Sequence, residues 1–286
     1  MLSALPACNT YKGRCPMIRK AGPKDGPITE EFLKREESFN TGSLCTIERY
    51  GFEKAFHDVW LQESRDGCLT AVYIRLFGFM HLFWPDAEGC EEALEEAADF
   101  LTFMGSGTIT GNWAIIQKLS PFFTSFTLEQ SRHMVLEGGE RLVDSFLVRT
   151  AGSGDCGSMA RLIMETEDFA RFYHTPQEVE RGMRQRLELG LCRYYLIERD
   201  GILAAQAHST AETRRYATVG GVVTRRYYRG QGLSAQVVSA LCRDLLKSGL
   251  RPELSCTDDT AARLYDKLGF IHVSNGGLLV KKRQME

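Results

Sequence analysis

"VVTRRYYRGQGLS", residues Val222–Ser234, sets three arginines and two glycines between an apolar run and a segment of helical pattern. A chain that ends a strand, turns through glycines and opens a helix leaves backbone N–H groups without helical partners. The helix dipole adds positive potential at the same place. Gly230 and Gly232 let a bulky anion approach the backbone, and Arg225, Arg226 and Arg229 add full charges. This construction predicts a phosphate or pyrophosphate site. No Gly-Lys-Ser/Thr follows, so it is not a Walker loop, and a third glycine is missing from the dinucleotide fingerprint. A plain strand-to-helix turn with solvated arginines is the competing reading.

The pattern around the loop supports the first reading. Downstream, Leu233, Val237, Leu241 and Leu245 recur four apart, with Gly249 past the end, which predicts a helix over 233–248. Upstream, "RRYATVGGVVT" reads as a strand, and "CRYYLIERDGILAAQAHS" as a hairpin turning at Asp-Gly. Before these come a strand "SFLVRTA" and two helices, 155–172 and 175–190, the latter capped by Thr175 with Pro176 in its first turn. After the long helix follow a strand "PELSC", a helix "DTAARLYDKLG", and strands "FIHV" and "LLVKK". The expected division is a ragged N-terminus at 1–16, an N-terminal α/β domain at 17–139, and a second α/β domain with a mixed sheet at 140–286. In the first domain a strand at Met17–Ala21, a helix at Thr29–Phe39, strands within 57–63 and 70–84, and a helix over 89–105 are expected. "NWAIIQKLSPFF" superposes on "AARLYDKLGF" at the Lys-Leu pairs, setting Ile116 where Tyr265 stands. Chance and a diverged tandem repeat both account for so short a match.

Composition narrows the partners. The chain has 286 residues, 43% hydrophobic and 25% charged, with a net charge of −2, a balance that argues against nucleic acid or anionic lipid as its main partner. Nine cysteines show no CxxC pair and no zinc-ligand spacing, so no metal site and a reducing, cytoplasmic setting are expected. "LPAC" near the start lacks the basic and apolar segments of a signal. "AVYIRLFGFMHLFW" is too short to span a bilayer and carries Arg75 and His81, so no membrane segment is expected.

The loop followed downstream by "TAARLYDKLGF" resembles the GNAT superfamily of N-acetyltransferases, whose pattern is Arg/Gln-x-x-Gly-x-Gly/Ala between the fourth strand and the next helix. Arg229, Gly232 and Ser234 fill those places, with Ser234 departing from the usual Gly/Ala. The second family pattern, Leu-Tyr-x-Lys-x-Gly-Phe, is matched by Leu264, Tyr265, Lys267, Gly269 and Phe270, and Asp258 stands where an Asn is common. The resemblance covers roughly residues 140–286 and implies a GNAT fold there; residues 17–139 are open to being a degenerate copy.

The resemblance further implies acetyl-CoA as co-substrate. Its pyrophosphate would lie on the amides of Arg229, Gly230, Gln231, Gly232, Leu233 and Ser234, with Asp258 nearby, and its pantetheine arm along the backbone of Val222, Val223 and Thr224. Tyr265 matches the family's general acid, although it also falls on the apolar stripe of its helix. For the general base, Glu212 and His208 are candidates, as are a water chain or an amine that arrives neutral. The glutamates of "METEDF" and His174 are candidates for shaping an acceptor pocket. The expected partner is a small-molecule or peptide amine. A CoA-binding sensor without turnover and a longer acyl donor are the alternatives. The first half is open to covering the acceptor or forming a homodimer contact.

Overall fold

The structure is a computed structural model that describes residues 17–86, 91–144, 146–173 and 175–282. In chain order the elements are β1 (Met17–Lys20), α1 (Gly26–Leu33), α2 (Thr41–Tyr50), β2 (Glu53–Lys54), β3 (His57–Glu63), β4 (Leu69–Leu76), β5 (Phe79–Phe83), α3 (Glu91–Met104), β6 (Thr108–Asn112), α4 (Trp113–Leu119) and β7 (Phe126–Leu136). There follow β8 (Val148–Thr150), α5 (Cys156–Met164), α6 (Glu167–Ala170), α7 (Pro176–Glu188), β9 (Tyr194–Arg199), β10 (Ile202–Glu212), β11 (Tyr216–Thr224), α8 (Leu233–Lys247), β12 (Arg251–Cys256), α9 (Asp259–Leu268) and β13 (Phe270–Lys281).

Two compact units form. The first gathers the described residues up to 36, residues 46–131 and those from 275 on; the second gathers 37–45 and 132–274. The expected cut between 139 and 140 treats each domain as one continuous stretch, whereas these units exchange short segments. Within the first unit the strand order is β1-β3-β4-β5-β6-β13, with β2 on β3. Its β5–β6 pair is parallel, and Gly276–Val280 of β13 pairs antiparallel with β6. Within the second unit the order is β7-β12-β11-β10-β9-β8, and β11–β12 is the parallel pair.

Element for element the units follow one plan: a short strand, helices, three antiparallel strands, a helix, a parallel strand and another helix. The side chains repeat as well. "IRKAGPKD" (18–25) and "VRTAGSGD" (148–155) share Arg-x-Ala-Gly-x-x-Asp. Arg19 grips Asp25 with two bonds of 3.0 and 2.8 Å and also reaches Glu63. Arg149 does the same to Asp155 at 2.8 and 2.7 Å and reaches Glu198. Each Asp also accepts the N–H of the glycine three residues before it, at 2.8 and 2.7 Å. One strand-to-helix junction is built twice, by the same chemistry.

Several elements differ from the sequence reading. Helix α1 starts at Gly26 with a proline in its first turn, and Thr29 lies inside it, its hydroxyl donating to the Asp25 carbonyl at 2.8 Å. The helix expected over 155–172 is two, α5 and α6, and the strands expected at 270–273 and 278–282 are one continuous β13.

Helix α8 anchors the site. Leu233, Val237, Val238, Leu241, Cys242 and Leu245 are buried in a core with Ala205, Ala207, Ala217, Val219 and Leu254 from the sheet. Each such side chain contributes about 1.5–3 kcal/mol, so the helix start is fixed against the sheet. A second cluster on the opposite face joins α5 and α7 to Tyr194, Leu196, Leu203 and Val223.

Candidate functional site

Strand β11 pairs with β12 only through Tyr216, Ala217 and Thr218, opposite Arg251, Pro252 and Glu253. Beyond Thr218 the two strands part. β12 continues against β7 through Cys256, while residues 219–224 of β11 keep only β10 as a partner. A row of backbone groups is thereby left facing a notch, the arrangement an extended ligand arm completes as an added strand. Val222–Thr224 lie along this edge.

A bulge sets the divergence. The β10–β11 register slips between Gln206 and His208, and Gly221 sits at φ +54°. A Cβ on Gly221 would fall 2.0 Å from the His208 ring. Only glycine supplies both that conformation and that space.

The loop opens directly onto the end of the notch. Gly230 (φ +79°) and Gly232 (φ +72°) are left-handed, and a Cβ built on either meets nothing within 4 Å. Gly230, Gln231 and Gly232 are exposed, whereas the Leu233 side chain is buried, so that residue offers a ligand its N–H alone. The Thr224 and Ser234 hydroxyls lie 2.6 Å apart and tie the strand end to the helix start. The arginines divide their work: Arg225 bonds the Leu203 carbonyl at 3.1 Å and Glu165 at 2.8 Å, a structural role. Arg226 and Arg229 are exposed, with Arg229 donating to the Thr224 carbonyl at 3.2 Å. The first N–H groups of α8, its dipole and the exposed side chains of Arg226 and Arg229 are the kinds of group that suit an anion.

Tyr265 lies buried on α9, its ring edge-on to Phe270 at 5.6 Å, in the core that holds Leu254. Burial pushes its phenol well above the usual range, with Cys256, Cys242 and Asp258 adding to it. The hydroxyl therefore keeps its proton at any working pH and is a donor. Asp258 has another job: its carboxylate accepts the Ala261 N–H at 2.7 Å and caps α9.

The base candidates fare differently. Both Glu212 oxygens are engaged by Arg193, at 3.2 and 3.0 Å, and Oε1 also accepts the Ser209 hydroxyl at 2.6 Å. Arg193 continues to Asp244 and Ser248, at the C-terminal end of α8. That helix has 15 residues, roughly 22 Å, so Glu212 anchors the end remote from the loop. His208 is buried and stacked on Tyr194 at 4.7 Å, and burial pushes its imidazole down to about 3. It stays neutral at working pH. His174 lies outside the described residues, as does the Glu167 side chain.

Sequence reading passed over Glu253. It is the last β12 residue paired with β11, where the strands part. Its neighbour Leu254 points into the α8 core, so alternation along the strand turns Glu253 to the other face. The Thr218 hydroxyl donates to it, Thr41 bonds it as well, and burial pushes its carboxyl up to about 7. His133 Nδ1 lies 3.6 Å away, and burial holds that ring at about 4, hence neutral. Tyr265, in the core under α8, and the Glu253 carboxyl thus lie on opposite faces of the sheet.

In the first unit the corresponding strands are closed. β5 pairs with β6 along Phe79–Leu82, and a Cβ on Gly111 would lie 2.4 Å from the Leu82 carbonyl. The Asn112 amide then donates to the Trp84 carbonyl at 2.9 Å, prolonging the ladder. Ile116 fills the space beside Gly111 and Gly277. Among the described residues no group of three His, Cys, Asp or Glu could hold a metal ion, and no helix is long and apolar enough to cross a membrane.

Comparison with known proteins agrees with this fold. Residues 189–276 match the GNAT acetyltransferase family model. A search of curated proteins finds no match. Among solved structures, a GCN5-related N-acetyltransferase from Sphaerobacter thermophilus is 14% identical with a TM-score of 0.63, covering 92% of this chain and 94% of its own. A tandem GNAT protein from the clavulanic acid biosynthesis pathway, solved without AcCoA, is 12% identical with a TM-score of 0.58, covering 94% and 100%. A GNAT-family acetyltransferase from Colwellia psychrerythraea is 13% identical with a TM-score of 0.56, covering 93% and 100%. At such identity the likeness shows the fold, and it extends over both units. Both units have a GNAT-like fold, and residues 189–276, nearly all within the second, match the GNAT acetyltransferase family.

Proposed function

We propose that the second unit transfers an acetyl group from acetyl-CoA to a primary amine by direct attack. The observation that carries this is the parting of β11 and β12 beside an open glycine loop. The loop amides from Arg229 to Ser234, with Arg226 and Arg229, receive the pyrophosphate. The free edge of Val222–Thr224 receives the pantetheine arm and sets the thioester in the notch. The amine nitrogen attacks the carbonyl carbon, forming the C–N bond. The oxygen that gains charge is met by a backbone N–H near Val222. As the C–S bond breaks, the thiolate takes a hydrogen bond or proton from Tyr265, and the proton lost by the amine passes to Glu253. Much of the acceleration comes from holding two reactants together.

Isothermal calorimetry with CoA and acetyl-CoA, combined with free-thiol release across a panel of amines, tests the reading. Binding with amine-dependent thiol release is expected. Folded protein that binds neither CoA nor acetyl-CoA would refute it. Binding without thiol release would instead favour a CoA sensor, and preference for longer donors would revise the acyl group.

A further inference from the structure

The face of the second unit under α7 holds polar groups that the transfer chemistry does not use. On α7 the buried residues are Val179 and Met183. Arg186 follows three residues after Met183, on the same face of the helix. Its surroundings are neutral: it hydrogen-bonds the Cys192 thiol and lies near Tyr194 and Tyr173, with His208 near enough to feel its charge. Among the described residues no carboxylate pairs with it. A guanidinium drawn toward the sheet with only neutral company is an anion site in waiting, because a desolvated charge without a counter-charge is costly.

The sheet below shows the same incompleteness. Gln206 is fully buried, and neither its amide oxygen nor its nitrogen has a partner. His208 Nδ1, also buried, has none either, and the buried Tyr194 hydroxyl meets the Cys192 thiol, a weak partner. Buried polar groups are nearly always satisfied, so several unsatisfied ones together mark a place where something polar binds. The register brings them together. His208 pairs with Tyr194 on β9 and with Gly220 on β11; Gln206 pairs with Leu196 and Val223. The cluster therefore runs from β9 to the bulge on β11, where the notch begins.

We propose that this face binds the acceptor, and that the acceptor is an amino acid whose carboxylate is held by Arg186 and the Tyr194 hydroxyl while its amine points to the notch at Gly221. The inference rests on the acyl-transfer reading above. A carboxylate supplies the missing negative charge and accepts from both the guanidinium fork and the phenol. The Gln206 amide oxygen and His208 Nδ1 offer acceptors to the ammonium or amine end. Arg186 and Tyr194 are positioning residues here, not members of the proton path.

The test compares amino acids with their decarboxylated amines: glycine with methylamine, alanine with ethylamine, β-alanine with ethylamine as a spacing control. Two readouts are used. One is KM and kcat from free-thiol release; the other is the rise in melting temperature that each compound causes on the CoA-bound protein. Amino acids are expected to be preferred, and Arg186→Gln to raise their KM about 100-fold with little change in kcat. Arg186→Gln is expected to leave CoA affinity and the use of plain amines unchanged, and Arg186→Lys to recover part of the loss. If Arg186→Gln does not fold, Tyr194→Phe, which removes only a hydroxyl whose partner is the Cys192 thiol, is expected to weaken the amino-acid-induced shift several-fold. Decarboxylated amines that serve as well as amino acids would overturn the proposal, as would KM and melting shifts indifferent to Arg186 and Tyr194. CoA binding without any amino-acid binding overturns this inference and leaves the donor site standing. Failure to bind CoA overturns the donor site, while Arg186-dependent amino-acid binding still decides this one.

Discussion

Replacing Glu253 with Gln tests the buried carboxyl independently of any reaction. In the folded chain this group ionises at about 7, against 4.5 when unperturbed, chiefly because burial removes its hydration. As pH rises past 4.5 the unfolded chain gives up this proton first, so stability falls between pH 4.5 and about 7 and then levels. Between pH 5 and 8.5 the loss is about 2.5 kcal/mol. Gln is not titratable, fills nearly the same volume and keeps hydrogen bonds to Thr218 and Thr41, so its variant lacks this slope. Other groups follow their own course. Burial depresses His133, and it adds stability above pH 6.5 that is lost as pH falls through about 4; this contribution is common to both proteins and largely cancels in their difference. Thermal melts of both proteins from pH 5 to 8.5 provide the assay. The variant should gain on the parent by roughly 5–10 °C as pH rises, at the usual conversion for a unit of this size. Parallel melting curves across that range would refute the reasoning, since they would mean that Glu253 ionises alike in both states.

Four further outcomes are expected. In acyl transfer, Glu253→Gln should lower kcat by a factor of about 10²–10⁴ and remove the rising limb near pH 7 from the pH–rate profile. Tyr265→Phe should keep the melting temperature within a few degrees while kcat falls by about 10²-fold or more, with CoA affinity from calorimetry unchanged; unaltered kcat would assign Tyr265 to the core alone. Gly232→Val places a β-branched residue at φ +72°, costing roughly 1–2 kcal/mol and crowding the loop amides, so CoA affinity should drop at least tenfold by calorimetry. Asp258→Ala removes the cap of α9 and should cost about 1 kcal/mol in stability, leaving CoA affinity within a factor of two; a large loss of affinity would restore Asp258 to the ligand site.

The loop, helix α8 and the hairpin at Asp200–Gly201 were legible because their signals are local: glycines at turns, apolar residues four apart, a run of alternating β-formers. Glu253 was not. In "PELSC" it reads as an ordinary strand residue, and only the third dimension, with Thr41 arriving from α2, makes it buried. Strands β6 and β7 and helix α2 were passed over because "TITGN" and "TGSLCTIERY" carry weak periodicity and owe their shape to packing. The paired glycines in "YATVGGVV" do mark a bulge, but where β11 leaves β12 follows from the register. Arg-x-Ala-Gly-x-x-Asp was written twice in the open; its meaning appears only when each arginine is seen gripping its own Asp. Glu212, the acid nearest to hand in the sequence, turned out to hold Arg193 in place.

The pairing of Gly276–Val280 with β6 has a consequence for biosynthesis. Leu279 lies at the centre of the first unit's apolar cluster, beside Ile109 and Ile116. On the ribosome, residues 108–112 emerge long before the segment that must zip onto them. The first unit is therefore left with a bare strand edge while the second is still being made. That exposed edge is where a nascent-chain chaperone would be most needed, and where a premature stop codon near residue 275 would do its harm, far from any residue that touches a substrate.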